Sequence, residues 1–319
     1  MREPDLQPAL THGERVRLIP VERLLDLRGE LRELEAREAL NGFQRWILAH
    51  KYTLEVPAAH ARSIVLVAVP HPMFARVELA WQGRTVRCAS LVMSDFETTE
   101  RSLRALFDER GLLFVPVSDL PMKRLAARSG LAVYGRNNVC FVEGMGSQLS
   151  FAAYLTDVPC DDVSWAELRP APLCARCEVC LNDCPTGAIR EDRFLIDNER
   201  CLSYLNESAD PFPGWLPASA HHCLYDCLRC QLRCPMNKPY ARPGIGPIPF
   251  SEEETDMLLS GVPAEAYPPD LREKARLLGL DQWPAGLARN VRILIAQAEA
   301  GGGERWVRAV TSRGAPGSP

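Results

Sequence analysis

Apolar residues first recur at helical spacing at Leu24, Leu27, Leu31 and Leu34, among Glu and Arg, and predict an amphipathic helix over 21–40. Residues 1–20 ahead of it read as polar and irregular. Ser63–Val69 (SIVLVAV) is a short apolar run without polar alternation, the pattern of a buried strand, and Pro70 stops it. Ala75–Trp81 and Thr85–Leu91 flank Gln82-Gly83-Arg84 and predict a hairpin. Ser94 or Asp95 caps a helix running to about Arg110, where Gly111 ends it. A strand over Leu112–Val117, a helix over Leu120–Ser129 closed by Gly130, and strands over Val139–Val142 and Leu149–Thr156 follow. Strands alternating with helices imply an α/β or α+β domain over residues 1–165.

The pattern then breaks. Residues 168–240 hold several prolines and no long periodic segment, so the stretch 166–242 buries little apolar surface and needs another source of stability. A Pro/Gly linker, Arg242-Pro-Gly-Ile-Gly-Pro-Ile-Pro249, leads to a C-terminal helical segment, 243–319. Its helices are expected near Ser251–Ser260, Pro269–Leu278 and Ala285–Ala298, and the tail from Gly301 is expected to fray.

Composition changes this picture at one point. With 319 residues, 46% hydrophobic and 24% charged, the chain has the make-up of a globular protein of about two domains. No apolar run approaches the roughly 20 residues of a membrane span. Met1-Arg2-Glu3-Pro4-Asp5 shows no apolar signal region, so the expectation is a cytoplasmic protein with no membrane partner. There, 12 cysteines are not expected to be structural disulfides. Nine of them lie between Cys174 and Cys234, inside the stretch that lacks a core. Clustered cysteines in such a chain read first as metal ligands. A pI near 5.9 gives no global basic footprint for nucleic acid.

Cys174-x2-Cys177-x2-Cys180-x3-Cys184-Pro185 is the run found in bacterial ferredoxins. Its first three thiolates wrap one cubane, and the fourth, before proline, serves the other. A zinc site would take four ligands from paired knuckles. The second run, Cys227-x2-Cys230-x3-Cys234-Pro235, is one cysteine short, and either Cys201 or Cys223 completes it. The expected wiring puts Cys174, Cys177, Cys180 and Cys234 on one [4Fe–4S] cluster. Cys184, Cys227, Cys230 and one of the two candidates serve the other. Two such clusters deliver single electrons, and delivery requires a recipient.

Arg200-Cys201-Leu-Ser-Tyr204-Leu, followed by Tyr225-Asp226-Cys227-Leu-Arg-Cys230-Gln231-Leu-Arg-Cys234-Pro235-Met-Asn237-Lys238, resembles the double-cluster domain of epoxyqueuosine reductases. The family pattern there is Cys-Ile-Ser-Tyr followed by Gly-Cys-Asp-x-Cys-Gln-x-x-Cys-Pro-Trp-Asn. The match makes Cys201 the eighth ligand and Cys223 an extra thiol. Upstream, Gly130-Leu-Ala-Val-Tyr134-Gly135-Arg136-Asn137-Asn138, Gly144-Met-Gly146-Ser147 and Tyr154-Leu-Thr156-Asp157 are similar to the family's Gly-Trp-Ile-Gly-Lys-Asn, Gly-Ser and Leu-Thr-Asp segments. Ala288-Arg289-Asn290-Val291 is similar to a family helix with Arg-Asn-Leu.

The resemblance implies an α+β protein. A flavin-reductase-like corrinoid-binding domain would precede a 2[4Fe–4S] ferredoxin-like domain and C-terminal helices. It implies two [4Fe–4S] clusters and cobalamin, with the clusters reducing cobalt and the epoxide oxygen of a modified tRNA nucleoside leaving as water. Tyr134, Gly135, Arg136, Asn137, Asn138, Gly144, Gly146 and Ser147 are the implied cofactor-binding residues. Three positions depart from the family. Ser118-Asp119-Leu120-Pro121 stands where the family has Asp-Thr-Gly-Pro, which shifts the proton-donating carboxylate to Asp119. Arg136 replaces the Gly-Lys-Asn lysine, and Met236 replaces the tryptophan of Cys-Pro-Trp-Asn. These departures favour a substrate other than epoxyqueuosine.

Each candidate has a plainer reading. The Gly135–Ser147 loop is either a cradle whose backbone N–H groups meet corrinoid amide side chains or a phosphate, or a tight turn. Asp119 is a general acid or the N-cap of the next helix. Tyr134 stacks on the corrin or packs in the core. Cys88 and Cys140 read as buried thiols, His221 and His222 as solvated loop residues, and His71 as a residue at a strand end.

The reading is therefore an oxidoreductase fed by an external low-potential donor of the ferredoxin or flavodoxin type, acting on a small molecule or a tRNA nucleoside. An electron-transfer protein or reductive activator docking on a corrinoid or flavin partner is the alternative. A third reading replaces cobalamin with a flavin.

Overall fold

The computed structural model describes residues 6, 9–36, 40–56, 58–162, 164–191, 195–240, 244–282 and 284–300. The expected fraying tail from Gly301 and most of the N-terminal pentad's neighbourhood lie outside them. In chain order the elements are β1 (Arg15–Pro20), α1 (Arg23–Glu35), α2 (Gly42–His50), β2 (Ser63–Pro70), β3 (Ala75–Trp81), β4 (Arg84–Ser90) and α3 (Phe96–Glu109). Next come β5 (Val115–Val117), α4 (Met122–Arg128), β6 (Val133–Tyr134), β7 (Cys140–Phe141) and β8 (Leu149–Thr156). The second half holds α5 (Val179–Asp183), α6 (Leu202–Glu207), α7 (Arg229–Leu232), β9 (Ile245–Phe250), α8 (Glu252–Ser260), α9 (Pro269–Leu278) and α10 (Pro284–Glu299). Among the described residues no helix is long and apolar enough to cross a membrane.

The chain divides into two compact units that cut across the sequential division at 165 and 242. One takes Met1–His71, Ser94–Cys177 and Asp192–Asn198; the other takes Pro72–Met93, Glu178–Glu191 and Glu199–Pro319.

The first unit is built on an antiparallel sheet in the order β1-β2-β8-β5. Residues Ile64 to Ala68 of β2 are 0% exposed, as the unalternating apolar run requires. Ile64, Leu66 and Ala68 join Leu24, Leu27 and Leu31 of α1 and Leu125 of α4 in one core. Val65, Val67 and Val69 join Leu103 and Phe107 of α3 in another, so the period of two along β2 serves both faces. Asp95, not Ser94, caps α3: its carboxylate accepts the Thr98 N–H at 3.0 Å, while the Ser94 hydroxyl donates to the Val69 carbonyl. Arg15–Pro20 forms β1 and not the irregular segment that its polarity predicts. Only Leu18 and Ile19 of β1 are buried, one to each core, too short a signal for a period to show. The expected single helix over 21–40 is also corrected. α1 stops at Glu35, and α2 starts afresh behind an Asn41–Gln44 capping box.

The second unit has a sheet in the order β4-β3-β9. The expected hairpin is present, closed by Gln82 and Gly83, both at positive φ, in the manner of a two-residue turn between paired Trp81 and Arg84. Its strands lie in the second unit rather than with the other strands of residues 1–165. The described part of the Pro/Gly linker is not a loop: Ile245–Phe250 forms β9, parallel to β3. Proline is tolerated there because β9 is an edge strand. Leu258, Leu271, Leu278, Val291 and Leu294 from α8, α9 and α10 bury against Val77, Leu79 and Val86 of the sheet.

Candidate metal centre

No disulfide joins any of the 12 cysteines, all of which are described, and the cluster-run cysteines sit on short turns rather than long helices. Cys174 lies in a 3-10 turn over Pro172–Arg176, Cys180 in α5, and Cys230 in α7. Cys177, Cys184 and Cys201 flank these elements at cap positions, and Cys234 follows α7. Short turns leave backbone N–H groups without helical partners, and several of these face sulfur. The Cys184 sulfur is met by N–H groups of Thr186, Ala188 and Ile189, and its Sγ lies 3.6 Å from the Thr186 hydroxyl. Cys201 caps α6 and is met by the N–H groups of Ser203 and Tyr204. The N–H of Arg229 meets Cys227. These are the donors that a thiolate bound to iron requires, so the donor set fits a cluster. Among the described residues, no three His, Cys, Asp or Glu side chains gather to hold a single metal ion. A cubane asks for one thiolate per iron instead.

Cys201 and Cys223 both lie within electrostatic reach of Cys227, but their sulfurs are differently placed. Cys201 accepts N–H groups. Cys223 is 1% exposed, its S–H donates to the Cys227 carbonyl at 3.4 Å, and burial pushes its thiol well above the usual range. Cys88 is also buried, and its thiol is pushed up to about 12 by burial, against an opposing N–H from Leu224. Cys140 is likewise buried, its thiol pushed up to about 12 by the same cause. Both behave as the inert thiols the sequence implies.

The second run is held by polar side chains. Asp183, beside Cys184, accepts Arg229 at 3.2 Å and lies 3.7 Å from Arg233, which ties α5 to α7. Asp226 accepts the Cys227 N–H at 2.5 Å and the Ser203 hydroxyl. The Asn206 amide donates to the Asp226 carbonyl at 2.8 Å. The Arg-Asn pair of α10 completes the frame. Arg289 donates to the carbonyls of Leu205 and Asp210, and Asn290 to those of Asn206 at 2.9 Å and Leu224 at 3.3 Å. α10 can approach so closely because Gly286 faces the carbonyls of Asn206 and Ser208, which a Cβ would meet at 2.7 and 2.6 Å.

The Gly135–Ser147 loop lies in the first unit and is made of two tight turns. Gly135 N–H donates to Val139 at 2.8 Å and Asn138 N–H to Gly135 at 2.9 Å, closing the β6–β7 pair. Gly146 N–H donates to Val142 at 3.0 Å, and Gly144 sits between them at positive φ. Gly135 admits no side chain, since a Cβ would lie 2.4 Å from Asn137 Oδ1. Asn137, Ser147 and Tyr134 are buried, and Tyr134 packs in the first unit's core, where burial raises its phenol. Arg136 reaches the first cysteine run instead: its N–H lies 3.4 Å from Cys174 Sγ and its guanidinium 2.8 Å from the Cys174 carbonyl. Of the backbone donors read as a corrinoid cradle, those of Gly135, Arg136, Asn138 and Gly146 meet partners within the chain. Asp119 is half-buried and accepts the Ser118 hydroxyl at 3.1 Å. It does not cap α4, whose N-cap is Pro121 with no side-chain bond.

The two adjacent histidines are the residues the sequence misjudged. Both are buried, not solvated: His221 is 3% and His222 6% exposed. His221 packs against Phe212 with the rings tilted by 56° and their centroids 4.3 Å apart. Burial pulls its imidazole down to about 4, with His222 and Arg289 adding to the effect. Their position next to Cys223, just ahead of the second cysteine run, was the available signal.

Residues 173–237 match the family model described as a 4Fe-4S double cluster binding domain. Fold and cysteine set together define an α+β iron–sulfur protein of the double-cluster class. Epoxyqueuosine reductase of Listeria monocytogenes is 24% identical over 230 residues, 67% of this chain and 58% of that protein. The Bacillus subtilis enzyme is 25% identical over 213 residues, 62% of this chain and 53% of its own length. The chain is thus similar to epoxyqueuosine reductases and spans a little over half the length of these curated relatives. A solved Bacillus subtilis epoxyqueuosine reductase, with its catalytic loop swung out of the active site, shares the fold. Its TM-score is 0.65 at 21% identity, covering 91% of this chain and 80% of that one. An epoxyqueuosine reductase solved with an epoxyqueuosine-modified tRNA stem loop gives 0.66 at 20% identity, with the same coverage.

Proposed function

We propose that the protein is an iron–sulfur oxidoreductase that takes single electrons from an external low-potential donor of the ferredoxin or flavodoxin type and passes them to a reducible substrate. The observation that carries this reading is the double cysteine run with N–H groups already turned on its sulfurs. A [4Fe–4S] cluster bound there supplies one-electron storage at low potential. Cys184, Cys201, Cys227 and Cys230 form one ligand set. The N–H donors at Cys201, against the S–H donated by Cys223, support Cys201 as its fourth member.

The relatives' name points to an epoxide as substrate, and one solved neighbour carries the modified tRNA stem loop. Converting an epoxide to an alkene with loss of one water consumes two electrons and two protons. Asp119 is the carboxyl group available to hold such a proton on the Ser118–Leu120 turn, where the Ser118 hydroxyl orients it. Ser118, Arg136 and Met236 stand where the family differs, and they favour a substrate other than epoxyqueuosine. Cobalamin remains the cofactor implied by resemblance, with the N–H groups of Gly135, Arg136, Asn138 and Gly146 engaged with the chain itself.

The shift of the family carboxylate to Asp119 also favours the second reading, an electron-transfer protein or activator acting on a corrinoid or flavin partner. One experiment separates them. The chain is reconstituted anaerobically, reduced with flavodoxin and offered epoxyqueuosine tRNA and simple epoxides, with cobalamin present and absent. Turnover that falls at least tenfold in Asp119→Asn supports the enzyme. Reducible clusters with no turnover on any epoxide would leave only the electron-transfer reading.

A further inference from the structure

We propose that His222 is the positioning residue of the cluster ligand Cys227, and that the hydrogen bond from its ring raises the reduction potential of that cluster. The inference rests on the iron–sulfur reading above. His222 Nδ1 lies 2.7 Å from the Ala220 carbonyl, while Nε2 lies 2.7 Å from the Cys227 carbonyl and 3.9 Å from Cys227 Sγ. The ring thus spans two backbone segments and turns one edge on both the carbonyl and the sulfur of one ligand.

Its own backbone is fixed. The Ala89 N–H donates to the His222 carbonyl at 3.0 Å, and the Leu224 N–H returns to the Ala89 carbonyl at 2.7 Å, pinning the segment to β4. The loop it grips needs such support. Asp226 and Leu228, on either side of Cys227, are both at positive φ, 64° and 62°, which side-chain-bearing residues rarely adopt. Asp226 holds the Cys227 amide at 2.5 Å, and His222 and the Cys223 thiol hold its carbonyl. His222 Nε2 also approaches the sulfur, at 3.9 Å. With the ring proton assigned to Nε2, the N–H there, directed at a ligating thiolate and its peptide, draws off charge, which stabilises the reduced, more negative cluster. Neither cysteine run requires a histidine here, so the role is carried by geometry alone.

The test compares the reconstituted full chain with His222→Leu and His222→Asn, following each cluster by electron paramagnetic resonance during a redox titration. His222→Leu should make one cluster tenfold harder to reduce at a given potential, a shift of about 59 mV downward for a one-electron couple. The other cluster should stay where it was. His222→Asn keeps an N–H donor and should recover most of the shift. If His222→Leu fails to hold the cluster, wild-type potential in His222→Asn still supports the role. Unchanged midpoints in His222→Leu with both clusters present would overturn it, and so would cluster loss in both variants, which would leave His222 a packing residue. Failure of the unmodified chain to take up iron would instead overturn the iron–sulfur reading itself.

Discussion

The sheet of the first unit and the cysteine-rich stretch of the second reach stability by different means. In the sheet, β2 is buried from Ser63 to Val69 and pairs with a strand along each edge, so its apolar residues Ile64–Val69 add burial and ladder bonds together. In the cysteine-rich stretch the helices are four to six residues long, as α5, α6 and α7 show. Single helices of that length are not stable by themselves. They are stitched by side chains reaching carbonyls: Asn206 to Asp226, Asn237 to Gln231, Arg200 to Thr186 and Asn290 to Leu224. The difference teaches that polar groups frame this stretch and leave the sulfurs as the remaining anchor.

The sharpest way to break that contrast is to remove one anchor. Cys201→Ser should cost one of the two clusters, about half the bound iron, while Cys223→Ser should keep both; the reverse outcome in iron and sulfide assays would make Cys223 the ligand. Leu66→Ala tests the other region. It opens a cavity in a wholly buried strand and should cost about 2–5 kcal/mol in denaturant unfolding of the first unit, with iron content unchanged.

The hydrophobic pattern made the sheet legible because burial on both faces leaves an apolar run, and because Gly83, Gly111 and Gly130 mark turns by their positive φ. Cysteine spacing made the ligands legible. Two other things were not. β1 and β9 are edge strands, half-exposed and proline-bearing, so neither carries a period. The polar frame joins residues far apart in sequence, such as Asn290 and Leu224, and spacing cannot reveal such a pair. The same reason hid the histidines, whose burial comes from Phe212, Ala220 and the Cys227 loop.

Asn290→Ala probes that frame. It leaves the buried Asn206 and Leu224 carbonyls without this donor and should cost about 1–3 kcal/mol, read as a lower unfolding midpoint of the second unit and slower cluster uptake. A smaller effect comes from pH. His221 is held near 4 in the folded chain against 6.5 in the open, so the folded state favours its neutral form. That contribution is full above pH 6.5 and fades as pH falls through 6.5 toward 4. Between pH 7.5 and 5.5 the second unit should lose about 1 kcal/mol, measured by denaturant unfolding. His221→Phe should flatten that slope, and an equal slope in the variant would assign it to other groups.

The central claim, that eight cysteines hold two [4Fe–4S] clusters, is tested most directly by iron and acid-labile sulfide per chain after anaerobic reconstitution. The prediction is about eight of each, with both clusters reducible by dithionite. Zinc in their place, or iron without sulfide, would contradict it.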